Sequence, residues 1–390
     1  MNFKEAYEIC AKKAKWHMKN PEEVLYECME SQDGTYDKKG CHLSGYWNWL
    51  TSCAVGMAPI MAEAEKDAEA LKFANSLAKA YEEKVSQYPA QAMHDIGFLY
   101  LPYSVHLYEL TGDLGHRETA LRAADALAKR FVFNGQFIEA WGSVTNPGEL
   151  GRVIIDSMMN VTLLFWAWKE TGYAQYYDMG VAHVETIIDT FVREDYSVCH
   201  SYIMDTTKKR PIEEANTCGF GNGSHWARGT AWMVYGLVSV YRYTRNEEYL
   251  SLAEKIGEKF IECLTEEDSI PVWDFRLPAD KPAALCRNVG GAECEWDESC
   301  PENKKYNRDT SAAAIMSCAF MAFCSMRENI RFAEAADKMM TSLTDSYLNC
   351  DTTIPGMLRC SNGRNKYNIY GDYYYFAALA MKVYGIKGCW

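Results

Sequence analysis

Two aspartates stand in apolar surroundings in two segments of the chain. Asp95 lies in AMHDIGFLYLPY, residues 92–103, and Asp156 follows three apolar residues in GRVIIDSMMNVTLLFWAW, residues 151–168. A buried carboxylate is costly unless it is paired or takes up a proton, and two carboxylates held close together raise the pKa of one of them. The pair therefore has the composition of a general acid and a general base that work near neutral pH.

Each aspartate also has a simpler interpretation as a helix N-cap. Asp is a favoured capping residue, and apolar residues follow both Asp95 and Asp156 at the start of a predicted helix. The sequence leaves open whether the side chains cap helices or face a ligand. In the second case we expect both on the same rim of the fold, because they are 61 residues apart, about one repeat unit.

A glycine-rich loop runs into a predicted helix in GFGNGSHWARGTAWMVYG, residues 219–236. Glycines let the backbone approach a ligand closely. Trp226 offers an indole on which a sugar ring can stack, and Arg228 offers a planar guanidinium that can bind a carboxylate such as a uronate. Further candidates of the same kinds, each of which is more often a core residue, are Trp47, Trp141 and His200.

The elements that must position these residues repeat along the chain. Three times an aromatic helix end runs into a threonine-based turn and then into a second helix, with the threonines at Thr111, Thr171 and Thr244. Apolar residues at three- and four-residue intervals make each unit a helical hairpin. Fainter copies lie at 57–85 and 325–345, and the steps of 60 and 73 residues between the threonines leave room for two helices each.

Six hairpins of this length fill the chain, so we predict an all-α fold, a closed (α/α)6 toroid, in a single domain spanning residues 1–390. The unit is longer than the roughly 34–47 residues of open helical solenoids. Strand signals are confined to VIID at 153–156 and IPVWDF at 270–275. In a ring of hairpins the loops at one end converge on a central cleft, where polar residues of apolar runs should gather.

Composition and charge exclude several classes of function. The chain has 390 residues and a formal net charge of −13, which argues against nucleic acid because phosphate binding needs a basic surface. No apolar stretch approaches the roughly 18 residues of a membrane span. The first twenty residues, MNFKEAYEICAKKAKWHMKN, lack the apolar core of a secretory signal, so we expect a cytoplasmic protein without a membrane partner.

The fifteen cysteines are scattered through apolar helical segments, as expected for reduced thiols. One cluster, Cys286, Cys294 and Cys300 with Cys41-His42, contains metal-ligating residue types. Its spacing lacks the paired C-x-x-C geometry of a zinc site. The sequence therefore predicts no metal.

Together these segments resemble the successive signatures of a known family. The matching motifs are His94-Asp95-Ile96-Gly97-Phe98, Ile155-Asp156-Ser157-Met158-Met159-Asn160, Ser224-His225-Trp226-Ala227-Arg228-Gly229 with Ala231-Trp232, Ile270-Pro271-Val272-Trp273-Asp274-Phe275, Arg308-Asp309-Thr310-Ser311-Ala312-Ala313 and Gly371-Asp372-Tyr373-Tyr374. In this order, over about residues 40–372, the chain resembles the unsaturated glucuronyl hydrolases, glycoside hydrolase family 88.

The resemblance implies a cytosolic (α/α)6 enzyme that acts on products of polysaccharide lyases, which carry a 4,5-unsaturated uronic acid at the non-reducing end. The aspartate matching Asp156 protonates C4 of the vinyl ether and activates water for addition at C5, and the resulting hemiketal collapses and releases the neighbouring sugar. Asp95 matches a second aspartate that holds the ring hydroxyls. The positions expected in or near the substrate cleft are His94, Trp47, Trp141, His200, Trp226 and Arg228.

By the same resemblance the partner is a small oligosaccharide of glycosaminoglycan type, and no metal or organic cofactor is required. The chain itself is expected to be a monomer or a homodimer.

Departures from the family pattern concern specificity. Cys218 stands where the family has a substrate-contacting glutamine, and Gly221-Asn222-Gly223 replace an acidic pair. Members that accept sulfated fragments resemble S-x-x-S-x-K near the C-terminus, whereas this chain has Ser361, Arg364 and Lys366. Either the extra arginine favours a sulfated or acidic neighbouring sugar, or the three residues belong to an ordinary exposed loop.

Two other functions stay open at this point. One is an inverting glycosidase that uses two carboxylates across a saturated glycosidic bond. The other is a carbohydrate-binding relative without activity, which the replacement at Cys218 makes conceivable. Only the lyase-product hydrolase requires the double bond in its substrate.

Overall fold

The computed structural model describes residues 1–19, 30–31, 33–36, 49–87, 89, 93–145, 150–265, 267–276, 286–287, 293–294, 308–361 and 366–390. Within these residues helices alternate between an outer and an inner position along the chain. The order is outer α1 (Phe3–Met18), inner α2 (Thr51–Val55) and α3 (Met57–Glu65), outer α4 (Ala68–Ser76) and α5 (Ala78–Gln87), inner α6 (Ile96–Tyr100) and α7 (His106–Thr111), outer α8 (Leu114–Ala128), inner α9 (Ser157–Asn160) and α10 (Thr162–Thr171), outer α11 (Ala174–Phe191), inner α12 (Ala227–Thr244), outer α13 (Glu247–Glu262), inner α14 (Thr310–Cys324), outer α15 (Ile330–Ser342) and inner α16 (Ile369–Tyr384).

The inner helices pack on one another in a closed ring. Contacts run from α2 to α6, from α6 to α9, from α9 and α10 to α12, and on through α14 to α16, which packs back on α2 and α3. Each outer helix packs on a neighbouring inner helix except α5, which packs on the outer helices α4 and α8. Two π-helical turns, Leu101–Val105 between α6 and α7 and Leu343–Tyr347 after α15, interrupt the α-helices. This arrangement confirms the predicted all-α toroid.

The recurring threonine has a common structural role in three hairpin turns. In each turn its Oγ1 donates to the carbonyl four residues earlier, at 2.6 Å for Thr111, 2.7 Å for Thr171 and 3.0 Å for Thr244. The same oxygen accepts the N–H two residues later, at 3.2, 3.2 and 3.3 Å. The residue after each threonine has a φ between +56° and +73°, which ends the helix and reverses the chain. The three predicted hairpins and the fainter copies at 57–85 and 325–345 are confirmed.

Strands are short, and all of the pairs among the described residues are antiparallel. The strands are β1 (Glu30–Ser31), β2 (Phe131–Val132), β3 (Phe137–Ile138), β4 (Arg152–Ile154), β5 (Ser201–Met204), β6 (Pro211–Glu214), β7 (Cys286–Arg287), β8 (Glu293–Cys294) and β9 (Tyr367–Asn368). They pair as β1 with β9, β2 with β3, β4 with β5 and β6, and β7 with β8.

The two predicted strands have different outcomes. The prediction at 153–156 is confirmed in part, because β4 covers Arg152–Ile154 and ends before the aspartate. The prediction at 270–275 is wrong, because this segment makes only single bridges. Its backbone instead bonds to the starts of two inner helices: the carbonyl of Trp273 accepts the Ala227 N–H at 3.1 Å, and that of Pro271 accepts the Asp309 N–H at 2.9 Å.

Two aspartates of the quoted motifs hold loops. Asp274 accepts the backbone N–H groups of Phe220, His225 and Arg276 at 2.9–3.1 Å, which fixes the glycine-rich loop. Asp372 accepts the N–H groups of Met357 and Leu358, both at 2.8 Å, and the hydroxyl of Tyr36 at 2.5 Å. Because N–H and O–H donors surround each carboxylate, its burial serves the fold.

The inner helices are buried on nearly all sides. Every residue of α12 from Ala227 to Tyr241 is buried, as is every residue of α14 from Thr310 to Phe320. Such helices are expected to be apolar all round, as their sequences are. Among the helices described, none combines the length and the apolar character needed to cross a bilayer.

Candidate active site

Asp95 and Asp156 occupy equivalent positions, immediately before the inner helices α6 and α9, but neither side chain caps its helix. Aspartates and asparagines at the starts of outer helices do cap: Asp113 accepts the Gly115 N–H at 2.8 Å, and Asn246 accepts the Glu248 N–H at 3.0 Å. The capping interpretation is therefore wrong for both candidate residues. Their carboxylates are available for other partners.

Asn160, the last residue of α9, joins the two helix starts. Its Nδ2 donates to Asp95 Oδ1 at 3.3 Å and to the backbone carbonyl of Asp156 at 3.1 Å, and its Oδ1 accepts the Phe98 N–H at 2.7 Å. Gly97 allows this approach, since a Cβ at that position would lie 2.4 Å from Asn160 Cα. Asn160 belongs to one of the family-like motifs but was not among the predicted site residues. Its position four residues after Asp156, on the same helix face, was the available signal.

Burial makes both carboxyl groups weak acids. Burial raises the pKa of Asp95 to about 7, against the smaller opposing effects of the Asn160 hydrogen bond and the Arg130 charge. Burial and then the negative charge of Asp95 raise the pKa of Asp156 to about 7, against the opposing charge of Arg228. Oδ2 of Asp156 is buried and has no hydrogen-bond partner among the described residues. The two groups can therefore hold a proton near neutral pH, as expected of an acid/base pair.

His94 contacts the first aspartate as a neutral ring. Its Nε2 lies 3.3 Å from Asp95 Oδ1, and burial lowers the pKa of His94 to about 3. The backbone N–H of His94 donates to the carbonyl of Ala140 at 3.1 Å, which ties the start of α6 to the loop that contains Trp141.

Arg130 fixes the Trp141 loop. Its buried guanidinium donates to the carbonyls of Glu139 at 2.7 Å, Trp141 at 2.7 Å and Gly142 at 2.9 Å. Trp141 itself is partly exposed, and the guanidinium carbon of Arg152 lies 4.8 Å from the centroid of its ring. Sequence reasoning missed Arg130, because nothing in its neighbourhood along the chain indicates these contacts.

Arg228 is held on three sides. Its Nη1 donates to Asp309 Oδ2 at 2.9 Å, and its guanidinium carbon lies 4.3 Å from the Trp226 ring centroid and 5.0 Å from that of Tyr370. Its Nε and Nη2 make no hydrogen bond within the described chain, which leaves one edge of the fork for a ligand carboxylate. Trp226 is only 3% exposed, and its ring packs against the guanidinium of Arg228. Asp309 and Tyr370 were not among the predicted site residues.

His200 positions the loop that contains Cys218. The ring stands edge-on to Trp226 with 5.1 Å between centroids, and its Nδ1 accepts the N–H groups of Thr217 at 3.2 Å and Cys218 at 3.3 Å. Burial lowers the pKa of His200 to about 3, so the ring is neutral and its proton is on Nε2. Cys218 is partly exposed and close enough to Arg228 for their charges to interact.

Contacts link the starts of all the inner helices at one end of the ring. Asn160 joins α9 to α6, and Arg228 joins α12 to α14 and α16. Trp49, just before α2, stacks on Tyr370 at 5.4 Å and lies 4.9 Å from Phe98 of α6, which completes the circle. The expectation that both aspartates share a rim therefore agrees with the geometry.

Two of the C-terminal candidates, Ser361 and Lys366, lie at the same end, where α14 and α16 begin. Ser361 is buried, its Oγ is 3.3 Å from Thr310 Oγ1, and its N–H donates to the carbonyl of Lys366, which is partly exposed. Trp47 and Arg364 lie outside the described residues, as do Cys41, His42 and Cys300, and the side chains of Cys286 and Cys294 are not described either. Across the described ranges, no group of three or more His, Cys, Asp or Glu side chains is arranged to hold a metal ion.

Comparisons with known proteins show the family and the fold of this chain. Residues 20–265 match the family described as Glycosyl Hydrolase Family 88. The chain is 31% identical over 324 residues to the unsaturated glucuronyl hydrolase of Bacillus sp. (strain GL1), with 80% of each chain covered. It is also 31% identical over 300 residues to the unsaturated chondroitin disaccharide hydrolase of Streptococcus pneumoniae (strain ATCC BAA-255 / R6), covering 73% of this chain and 69% of that one. The crystal structure of the Bacillus enzyme superposes with a TM-score of 0.82 at 27% identity, covering 99% of this chain and 97% of that one.

Proposed function

The chain belongs to glycosyl hydrolase family 88, and from that membership we propose that it removes the 4,5-unsaturated uronic acid from the non-reducing end of lyase-generated glycosaminoglycan-type oligosaccharides. It is then a glycoside hydrolase whose substrate is a vinyl ether. The named activities of the Bacillus and Streptococcus relatives support this substrate class.

The substrate's carboxylate is proposed to bind at Arg228. This guanidinium is buried, lies between two aromatic rings, and keeps its Nε and Nη2 free of described partners. The starts of three long helices, α12, α14 and α16, meet beside it. Their N-terminal dipole ends favour a negative group. The carboxylate of a uronate would thus meet one guanidinium and three helix N-termini in a chain whose net charge is −13.

The proposed reaction uses Asp156 first as an acid and then as a base. Its carboxyl proton is transferred to C4 of the C4=C5 double bond, which leaves positive charge shared by C5 and the ring oxygen. Water then attacks C5, and the proton it loses returns to the Asp156 carboxylate. The hemiketal opens by cleavage of the bond from C5 to the ring oxygen, and the hemiacetal left at C1 expels the neighbouring sugar. The net reaction consumes one water and cleaves the substrate into the opened uronic acid and the released sugar.

Asp95 is proposed to stay ionised during these steps. As a carboxylate it accepts hydrogen bonds from ring hydroxyls, and its charge raises the proton affinity of Asp156. Its negative charge also favours the positive charge that develops at C5. The residues proposed to line the cleft are His94, Trp141, His200 and Trp47. Cys218 is proposed to lie at its edge.

One observation carries the proposal: buried Asp95 and partly buried Asp156 immediately precede inner helices, neither caps its helix, and the pKa of each is raised to about 7. Neither carboxylate caps a helix, and the burial of a charged group costs free energy, so their placement is explained better by chemistry than by stability. Sites that need a proton donor near neutral pH are where such groups occur.

The test follows the ultraviolet absorbance of the substrate double bond. Purified protein is mixed with unsaturated disaccharides from chondroitin, hyaluronan and heparin lyases, sulfated and unsulfated, beside the Asp156→Asn variant. Loss of absorbance with the wild type alone is expected and ranks the substrates, including any preference for sulfate through Arg364 and Lys366. No loss on any substrate, with folded protein, overturns the proposal and favours a saturated glycosidase or an inactive binder.

Two further features are proposed with the function. Residues 1–390 are proposed to form one catalytic domain, because α16 packs on both α1 and α2 and so joins the two ends of the chain. A cytoplasmic location is supported by the ten free cysteines of the described chain, most of them buried among apolar residues.

A further inference from the structure

We infer that Asn160 decides which of the two aspartates holds their shared proton, by keeping Asp95 ionised and so leaving the proton on Asp156. The inference rests on the proposed function in one respect, because it takes protonated Asp156 as the active form. Asn160 itself touches neither substrate nor reacting atoms. It is a positioning residue that acts through Asp95.

The hydrogen bonds around the pair are unequal. Asp95 Oδ1 accepts a hydrogen bond from Asn160 Nδ2 at 3.3 Å, whereas Asp156 Oδ2 is buried and has no hydrogen-bond partner among the described residues. The amide cannot turn over, because its Oδ1 accepts the Phe98 N–H at 2.7 Å and its Nδ2 also donates to the Asp156 carbonyl. A fixed N–H donor stabilises a carboxylate more than a carboxylic acid. The ionised form is therefore favoured at Asp95 and the protonated form at Asp156.

The charged and titratable groups that face the pair come from several neighbouring elements. On the Asp95 side, Arg130 from the end of α8 favours the ionised form, and His94 is neutral. On the Asp156 side, the charge of Arg228 on α12 favours the ionised form of Asp156, but this guanidinium is already paired with Asp309. His200 and His183 nearby are neutral because burial lowers the pKa of each to about 3. Among the described residues, Asn160 is thus the side chain that hydrogen-bonds directly to a carboxylate of the pair.

Removal of the Asn160 donor has a signature that a structural defect lacks. With the donor gone, the singly protonated pair exists in two forms, and only the form with the proton on Asp156 is active. The plateau of kcat falls by a factor of one plus the ratio of the inactive to the active form, and the pKa of the basic limb rises by the logarithm of that factor. Activity well above that pKa is unchanged, because there both the active form and the fully ionised pair lose the same stabilisation.

The experiment is a pH profile of kcat for Asn160→Leu, a replacement of similar volume without a donor. We expect a plateau lower by about three- to tenfold and a basic limb higher by about 0.5–1 pH unit, so that the profiles merge at alkaline pH. Asn160→Ala, in which water can reach the Phe98 N–H, takes its place if leucine does not fold. Ser157→Ala is the matched control, because Ser157 lies on the same helix as Asn160 and its side chain contacts neither carboxylate. Its Oγ instead hydrogen-bonds to Nε2 of His183, on α11, at 2.8 Å.

A second readout needs no substrate. Infrared difference titration follows the carbonyl band of the buried carboxylic acid, and we expect it to persist to higher pH in Asn160→Leu than in wild type or Ser157→Ala. A rate lowered equally at every pH, with an unshifted infrared titration, overturns the inference. If the wild type cleaves no unsaturated disaccharide but the infrared shift is present, the proposed function fails and the assignment of the proton stands.

Discussion

Nη1 of Arg228 donates to Oδ2 of Asp309 at 2.9 Å across 81 residues of sequence, and both side chains are buried. Asp309 also caps α14, since its Oδ1 accepts the Ala312 N–H at 3.1 Å. One carboxylate therefore fixes a helix start and orients the guanidinium proposed to bind the uronate. This pairing explains why an arginine can be buried in the cleft without loss of its charge.

Asp309→Asn tests that orientation. The amide keeps an acceptor for the Ala312 N–H but removes the negative charge opposite Arg228, so we expect KM for an unsaturated disaccharide to rise by about tenfold, with a smaller change in kcat. The control is Asp113→Asn, at another helix cap whose carboxylate pairs with no arginine among the described residues, and it should leave both constants unchanged. Equal KM values for Asp309→Asn and wild type would contradict the assigned role.

Asp156→Asn should abolish activity and yet stabilise the protein. The pKa of Asp156 is about 7 in the fold and lower in the unfolded chain, so the folded state binds more protons and stability falls as pH rises through about 4 to 7. Asparagine removes this penalty. The gain should be absent below pH 4 and reach about 1–3 kcal/mol at pH 8, measured by denaturant unfolding across this range.

Asp372→Asn provides the contrast for that measurement. The pKa of Asp372 is also raised to about 7 by burial, but its carboxylate accepts two N–H groups and a tyrosine hydroxyl. An amide cannot accept all three, so this variant should lose stability at every pH. Stabilisation by both substitutions would show that relief of buried charge is not specific to the site.

Cys218 should mark the cleft chemically. It is partly exposed and interacts with the charge of Arg228, so alkylation by iodoacetamide should inactivate the enzyme at a rate that substrate slows. Cys218→Ser should resist this inactivation, although Cys350 is exposed and will still be labelled. Cys218→Gln, which restores the family residue, should lower KM by about threefold through one added hydrogen bond. Unchanged inactivation of Cys218→Ser would place the sensitive thiol elsewhere.

Lys13 should be important for stability and not for chemistry. Its buried Nζ donates to the carbonyls of Asp351, Ile354 and Gly356 at 2.6, 2.6 and 3.0 Å, so it holds the loop that Asp372 also binds. Lys13→Met should cost about 2–4 kcal/mol in unfolding free energy, because three carbonyls lose their donor. Lys12→Met, at the exposed neighbouring position, is the control and should change little. An equal effect of both substitutions would refute the role.

The sequence by itself determined the features that depend on local pattern. Helical periodicity and the threonine turns at 111, 171 and 244 predicted the hairpins, because each turn closes with bonds between residues at most four apart. The odd placement of Asp95 and Asp156, and the ordered motifs around them, indicated the candidate acid/base pair and the family. Local signals also misled at 270–275, where β-branched and aromatic residues serve helix starts rather than a strand.

Only the tertiary structure decided how those residues are used. Whether an aspartate before a helix caps it or faces a cleft depends on which donors the rest of the fold brings near: Asp113 and Asp156 both precede a helix, and only Asp113 caps it. The bonds from Asn160 to Asp95 and from Arg228 to Asp309 span 65 and 81 residues. Their geometry follows from the packing of inner helices around a ring, and no periodicity along the chain encodes it.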